Sequence, residues 1–344
     1  MEKARPTHGV QESEYVMVTA VERNLGGLSQ AEYERKLADF EARINRGEKI
    51  EPADWMPDEY RHQLIRLIHV HANSEICGAL PEGRWIPHAP TFKRKLALVA
   101  KVQDEVGHGQ LLYRAAETLG PSREQLIEDL ITGKAKFSNV FHYPAETWAD
   151  VAIIAWLIDA AAIINQTMMA EGSYGPYARA LKRICYEEAF HMKHGYEMCV
   201  VLATGTQVQR DMLQDALNRW WAPIMMFHGP SDKESKHTAQ LVRWKVKLKT
   251  NDEQRQQFLK QFVPKMLDLG MKIPDKSLRF DKATQTWLYD DPDWAEFKKV
   301  VNNGGPVSHE RVEARRLAHR DGQWVREALT AAAAKRPIPM PPVN

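Results

Sequence analysis

Residues 103–108 read QDEVGH, and residues 186–191 read YEEAFH. Each contains Glu-x-x-His: Glu105 with His108, and Glu188 with His191. Positions i and i+3 of an α-helix share a face, so each pair can grip one side of a metal ion. One such match arises easily by chance and describes an ordinary solvated face. Two matches on two long helical segments carry more, and the residues upstream decide the matter. Glu75 stands 30 residues before Glu105, and Asp159 stands 29 before Glu188. Each Glu-x-x-His is thus preceded by a lone carboxylate on an earlier helix. That is the donor pattern of four-helix bundles holding two iron or manganese ions. The near-equal spacings predict two similar hairpins around a pseudo-twofold axis.

The surrounding sequence supplies the helices. Leu64, Ile65, Ile68, Ala72, Ile76 and Leu80 recur at helical spacing from Asp58 to Leu80, before Pro81-Glu82-Gly83. A second helix is predicted from Pro90-Thr91 to Leu119, stopped by Gly120-Pro121. A short helix follows Ser122, then a polar and aromatic loop at 133–144. A third long helix is predicted from Trp148 to Glu171, and a fourth from Pro176 to Ala203. Further helical patterns cover Gln207–Met226, Thr238–Lys249 and Asp252–Leu269. Upstream, Ser29 and Glu32 form a capping-box signature for a surface helix to Arg46. After Gly270 the chain turns irregular, with a hairpin possible in 273–293, then a polar helix from Ser308 to Lys335 and a loose Pro-rich end. The fold class is all-α: a four-helix bundle with extra helices and an irregular C-terminal extension. The expected division is 1–50 as an N-terminal extension, 51–270 as the helical domain and 271–344 as the C-terminal extension.

Asp159 adds weight of its own. It lies among Ile153, Ile154, Trp156, Leu157, Ile158, Ile163 and Ile164, where an unpaired charge costs several kcal/mol or a large pKa shift. A bound cation accounts for it once three other acids converge there. Glu75 sits on a mostly apolar helix near His71; alone, it would read as a surface acid. Four carboxylates and two imidazoles without thiolate suit iron or manganese, and structural zinc prefers Cys and His. Four carboxylates balance two divalent ions, which supports a binuclear site open to O2. Imidazole ligands need an outer acceptor. Asp104 and Glu187 each precede a ligand Glu and can cross over, Asp104 to His191 and Glu187 to His108. Lys101, one turn before Glu105, can reach a ligand carboxylate.

Composition excludes several classes. The chain has 344 residues, 44% hydrophobic and 27% charged, as globular proteins do. Lys and Arg total 47 against 45 Asp and Glu, a near balance unlike a dedicated nucleic-acid binder. Cys77, Cys185 and Cys199 are scattered, so neither a disulfide framework nor an iron–sulfur cluster is expected. The opening MEKARPTHGVQESEY has no apolar signal core, and a reducing, cytoplasmic setting is the simplest expectation. The run VAIIAWLIDAAAII, 151–164, reads as a buried helix, not a membrane span.

Longer motifs carry a resemblance. EPADWMPDEYR, HANSEICGALPEGRWIPHAPT, KVQDEVGHG, WLIDAAAIINQ, SYGPYARA, EEAFHMKHG and DGQWVREA resemble the catalytic subunits of ring-1,2-phenylacetyl-CoA epoxidases, the multicomponent phenylacetyl-CoA monooxygenases. The resemblance runs from Glu51 to about Gln323, about four-fifths of the chain. It implies a ferritin-like fold with a di-iron centre on Glu75, Glu105, His108, Asp159, Glu188 and His191. Many related monooxygenases carry Arg before each ligand His; here those positions are Gly107 and Phe190, which disfavours toluene- or methane-type substrates. The implied reaction adds one oxygen atom of O2 across the aromatic ring of phenylacetyl-CoA. Its electrons come from NADPH. The chain has neither a Gly-x-Gly-x-x-Gly after a strand nor cluster cysteines, so a separate iron–sulfur flavin reductase must supply them. The other implied partners are small accessory subunits together with a homologous, metal-free helical subunit.

For the anionic CoA, the resemblance points to Arg66, to Lys136, Phe137, Ser138 and Asn139 in the loop before the third helix, and to Asn165. Ser235, Lys236 and His237 are further candidates. Trp220, Trp221, Met225, Met226 and Phe227 can line a ring pocket or simply pack the core. Three readings compete. One is another di-iron enzyme, such as a desaturase or part of a radical-generating reductase. The second is a scaffold of the same fold with a decayed site, and the third is iron storage. The scaffold should have lost ligands, and storage chains are usually shorter.

Overall fold

The computed structural model describes residues 27–235 and 237–335. Helix α1 (Gln30–Asn45) starts at a complete Ser29/Glu32 capping box. Helices α2 (Asp58–Trp85) and α3 (Phe92–Glu117) form the first long hairpin. Helix α4 (Arg123–Thr132) and a short 3-10 turn at Asn139–His142 occupy the crossover. The third long helix comes in two parts, α5 (Trp148–Ile153) and α6 (Asp159–Ala170), joined by a π-helical turn at Ile154–Ile158. Helix α7 (Gly175–Ala203) completes the second hairpin. Then follow α8 (Gln207–Phe227), α9 (Thr238–Arg243) and α10 (Asn251–Asp268). A two-stranded antiparallel hairpin, β1 (Arg279–Asp281) with β2 (Thr286–Leu288), precedes α11 (Trp294–Lys299), α12 (Ser308–Asp321) and α13 (Gln323–Lys335).

The expected all-α bundle stands, with local corrections. The first long helix continues past Pro81 to Trp85, so Pro81 does not end it. The Thr238–Lys249 pattern yields helix only to Arg243; Lys245 then turns to φ 50°, which breaks the helical hydrogen-bond ladder. The polar C-terminal helix is divided at Gly322. Within the described part of residues 1–50, Phe40 and Ile44 of α1 are buried. The Pro-rich end lies outside the described residues.

Two large apolar cores and a small third cluster at Cys77, Leu130, Ala135 and Phe137 hold the bundle. One gathers Ile153, Trp156 and Leu157 with Met198, Trp220, Phe258 and Phe262. The other gathers Phe40, Tyr60, Leu64 and Ile68 with Leu112, Tyr177 and Ile184. Along α3, Leu98 belongs to the first core and Leu112 to the second, with Glu105 between them. Along α7, Ile184 and Met198 likewise flank Glu188 and His191. A polar layer thus separates the cores at mid-bundle. The segment Trp148–Ala170 is the one described stretch long and apolar enough to cross a membrane, and 78% of its apolar window is buried inside the protein. Trp220, Trp221, Met225 and Met226 are core residues.

Candidate metal centre

Six side chains from four long helices meet in the polar layer. Glu75 comes from α2, Glu105 and His108 from α3, Asp159 from the first residue of α6, and Glu188 and His191 from α7. All six are buried. They form two overlapping donor groups: Glu75, Glu105, His108 and Glu188 in one, and Glu105, Asp159, Glu188 and His191 in the other. Within each group, one donor atom per residue lies within 4.8 Å of all the rest. Glu105 and Glu188 belong to both. A carboxylate has two oxygens, so these two could serve both groups, whereas Glu75 and Asp159 each belong to one.

The histidines are aimed by each other's helix. His108 Nδ1 lies 3.3 Å from Glu188 Oε1 and 3.6 Å from Glu75 Oε2, while its Nε2 bonds Glu187 at 2.9 Å. His191 Nδ1 lies 3.2 Å from Glu188 Oε2 and 3.4 Å from Glu105 Oε1, while its Nε2 bonds Asp104 at 3.1 Å. The structure thus brings Asp104 and Glu187 to crossed positions behind the two imidazoles. A carboxylate behind each ring fixes the tautomer and leaves Nδ1 as a metal donor.

Lys101 is fully buried and touches three acids. Its ammonium lies 2.8 Å from Glu82 and 3.1 Å from Asp159, and bonds Glu105. Burial alone would depress it, yet Asp159, Glu105 and Glu82 hold it well above the usual lysine range. Burial raises Glu105 too, but Lys101 and the two histidines beside it bring its carboxyl well below the usual range. Burial raises Glu75, and raises Asp159 well above its ordinary value even with Lys101 opposing. Burial would lower His191, but Glu105 and Glu188 push it up to about 11. His108 is raised for the same reason, by Glu105, Glu188 and Glu75. Without a divalent ion, the acids hold protons on the imidazoles that a metal must displace.

The donor set fits metal. His108 Nδ1 and Asp159 Oδ2 are buried with no hydrogen-bond partner, since Lys101 lies near that oxygen but outside hydrogen-bonding geometry. Four clustered carboxylates face one fixed cation, and oxygen with imidazole nitrogen is the donor chemistry of iron and manganese.

The π-helical turn sets Asp159. A π turn adds a residue to the helical cycle, so it rephases everything after Ile158 against what precedes it. Helix α7 lies directly on this turn at Gly195. A Cβ there would stand 2.2 Å from the Ala155 carbonyl carbon and 2.3 Å from the Trp156 nitrogen.

Several residues at the centre were hidden from the sequence reading. Glu82 was masked by the Pro-Glu-Gly stop signal, although it lies seven residues past Glu75 and so on the same helical face. Gln166 is likewise seven past Asp159, and its Nε2 donates to Glu75 Oε1 at 3.4 Å. His71, four before Glu75, places Nε2 2.8 Å from Glu75 Oε1, and its Nδ1 bonds the Tyr177 hydroxyl at 2.7 Å.

The candidate substrate contacts divide. Phe137 is buried and stacks on His142 at 4.1 Å. Asn139 is buried and donates to the Pro223 carbonyl at 2.8 Å, and Met226 is core; these three build the scaffold. Lys136 is exposed, and its carbonyl accepts from Asn73. The Ser138 amide donates to Ser74 Oγ. Asn165 Oδ1 is buried without a partner. Exposed Arg66 donates to Gln63 Oε1, and Gln63 Nε2 meets His237 Nδ1 at 3.0 Å. Two segments proposed separately are therefore joined. Ser235 bonds Thr238, and Lys236 lies outside the described residues.

A family model described as phenylacetic acid catabolic protein matches residues 24–324. The chain belongs to this family. The match begins before α1, which agrees with α1 packing on the bundle. Within the phenylacetic acid catabolic family, the chain is 50% identical over 297 residues to one subunit of the Escherichia coli K12 1,2-phenylacetyl-CoA epoxidase, covering 86% of this chain and 96% of that one. It is 29% identical over 143 residues to another subunit of the same Escherichia coli enzyme, covering 40% of this chain and 57% of that one. The chain is thus similar to two different subunits of that Escherichia coli enzyme.

Proposed function

We propose that this chain is the catalytic subunit of a phenylacetyl-CoA 1,2-epoxidase, an oxidoreductase of phenylacetate degradation. The observation that carries the reading is the single buried cluster of six donors, in a chain half identical to an epoxidase component along nearly its whole length. A scaffold with a decayed site, or an iron store, lacks one of these two supports.

In this reading Glu75, Glu105, His108, Asp159, Glu188 and His191 would hold two iron ions. Held there, reduced iron would supply the redox chemistry that O2 activation requires. The protein's own part is positional and electrostatic. Glu187 and Asp104 hold the imidazoles with Nδ1 inward. Lys101, anchored by Glu82, neutralises charge on Glu105 and Asp159. The two apolar cores exclude water on either side of the polar layer. Arg66, Lys136, Ser138, Ser235 and His237 offer polar groups to the anionic CoA, Lys236 is a further candidate by sequence alone, and Asn165 offers an unpaired amide oxygen.

The partners are part of the same proposal. They are a related metal-free helical subunit, small accessory subunits, and a separate NADPH-dependent iron–sulfur flavin reductase. The weaker likeness to a second epoxidase component supports the first of these. Residues 51–270 form the metal-bearing body, onto which 1–50 and 271–344 add. Three free cysteines suit a reducing cytoplasm.

The test combines metal analysis with product identification. About two irons per chain after anaerobic loading, and the ring epoxide of phenylacetyl-CoA from the reconstituted system, are expected. Glu105→Ala should abolish turnover with the helical circular dichroism unchanged. Undiminished epoxide from that variant sinks the assignment.

A further inference from the structure

The two halves of the centre are backed differently. Behind Glu75 stands a chain of hydrogen-bonding groups. The Tyr177 hydroxyl meets His71 Nδ1 at 2.7 Å, His71 Nε2 stands 2.8 Å from Glu75 Oε1, and Gln166 Nε2 donates to the same oxygen. Tyr177 and Gln166 are fully buried and His71 is half-buried. Among the described residues there is no counterpart behind Asp159. The residue four before it is Ala155, inside the π-helical turn. Asp159 instead faces the Lys101 ammonium at 3.1 Å, and Lys101 also bonds Glu105. An ion entering the Asp159 half meets the buried Lys101 ammonium, which binding does not displace. An ion entering the Glu75 half meets a carboxylate already oriented and a His108 Nδ1 with no hydrogen-bond partner.

We propose that Tyr177, His71 and Gln166 are positioning residues that hold Glu75 toward the ion shared with His108, so that this half of the centre binds its ion more tightly than the Asp159 half. The inference rests on the metal reading above and deepens it by assigning an order to the two ions. Groups behind a metal ligand typically affect affinity by about 10- to 100-fold, and a carboxylate held in one orientation loses less freedom on binding.

Cobalt(II) titration of the metal-free full chain, followed by visible absorption and calorimetry, tests it. Wild type should take up two ions with separable dissociation constants. Tyr177→Phe, which removes only the hydroxyl, should weaken the tighter step by about 10-fold, and His71→Ala by up to about 100-fold, each leaving the weaker step in place. His71→Gln, which keeps an amide N–H near Glu75, should fall between His71→Ala and wild type. Unchanged constants in both Tyr177→Phe and His71→Ala overturn the proposal. So does an equal weakening of both steps, which marks general loosening of the fold. Two equivalent ions in the wild type overturn the order while leaving the metal site standing, and no cobalt uptake overturns both.

Discussion

His108 on α3 bonds Glu187 on α7 at 2.9 Å, and thereby turns its other nitrogen to the acids between the helices. The reciprocal pair, His191 with Asp104, closes the same loop at 3.1 Å. Each helix therefore supplies one imidazole and the carboxylate that orients the opposite one. The two helices cannot shift along each other without misaiming both donors.

Removing either outer carboxylate should loosen the metal without unfolding the bundle. Glu187→Ala and Asp104→Ala are each expected to weaken metal binding by about 10- to 100-fold, read by titration of the metal-free chain. Both sites are partly exposed, so the thermal midpoint should move little. An unaltered affinity in both variants counts against the crossed arrangement.

Lys101 holds a buried acid cluster together when no metal is present. Lys101→Ala leaves Glu82 with no cation and should destabilise the metal-free chain by about 3–5 kcal/mol, read by urea unfolding. Combining Lys101→Met with Glu82→Gln removes both charges of the pair and should cost less than Lys101→Ala alone. A larger loss in the double variant contradicts the pairing.

Gly195 is required by contact, not by backbone angle. In Gly195→Ala the new Cβ meets the backbone of Ala155 and Trp156 at under 2.5 Å, and backbone cannot swing aside as a side chain can. Overpacking of this kind typically costs about 1–3 kcal/mol. Because the π-helical turn leads directly into Asp159, metal affinity should fall as well. A Gly195→Ala chain with wild-type stability and metal uptake refutes the contact.

His228 should contribute to acid unfolding. Burial, with Arg255 and Lys247 nearby, pushes its folded pKa down to about 3, below the unfolded value of about 6.5. A depressed histidine favours the folded state fully above the unfolded pKa, and that contribution is lost as pH falls toward 3. His228→Phe, placed beside Phe227 and Phe258, should flatten the stability profile between about pH 6.5 and 3. His142, also pushed down to about 3 by burial and by Arg311 and Arg315, should leave a residual slope. An identical acid transition in the variant dismisses His228 as its source.

The linear sequence determined the helices and the six donors. Apolar periodicity sets which residues face inward, and i,i+3 spacing puts Glu105 with His108 and Glu188 with His191, because both are properties of one helix. Glu82 escaped because Pro81 read as a stop. A proline costs a helix one amide and a steric clash, yet here the helix continues to Trp85 against the core. Tertiary structure alone decided which carboxylates are shared, that Asp104 and Glu187 cross over, that Lys101 reaches Asp159 of another helix, and that Tyr177 stands behind Glu75. Those relations depend on the separation and phase of neighbouring helices. Side-chain packing and the π-helical turn at Ile154–Ile158 fix them, and no spacing within a single helix encodes them.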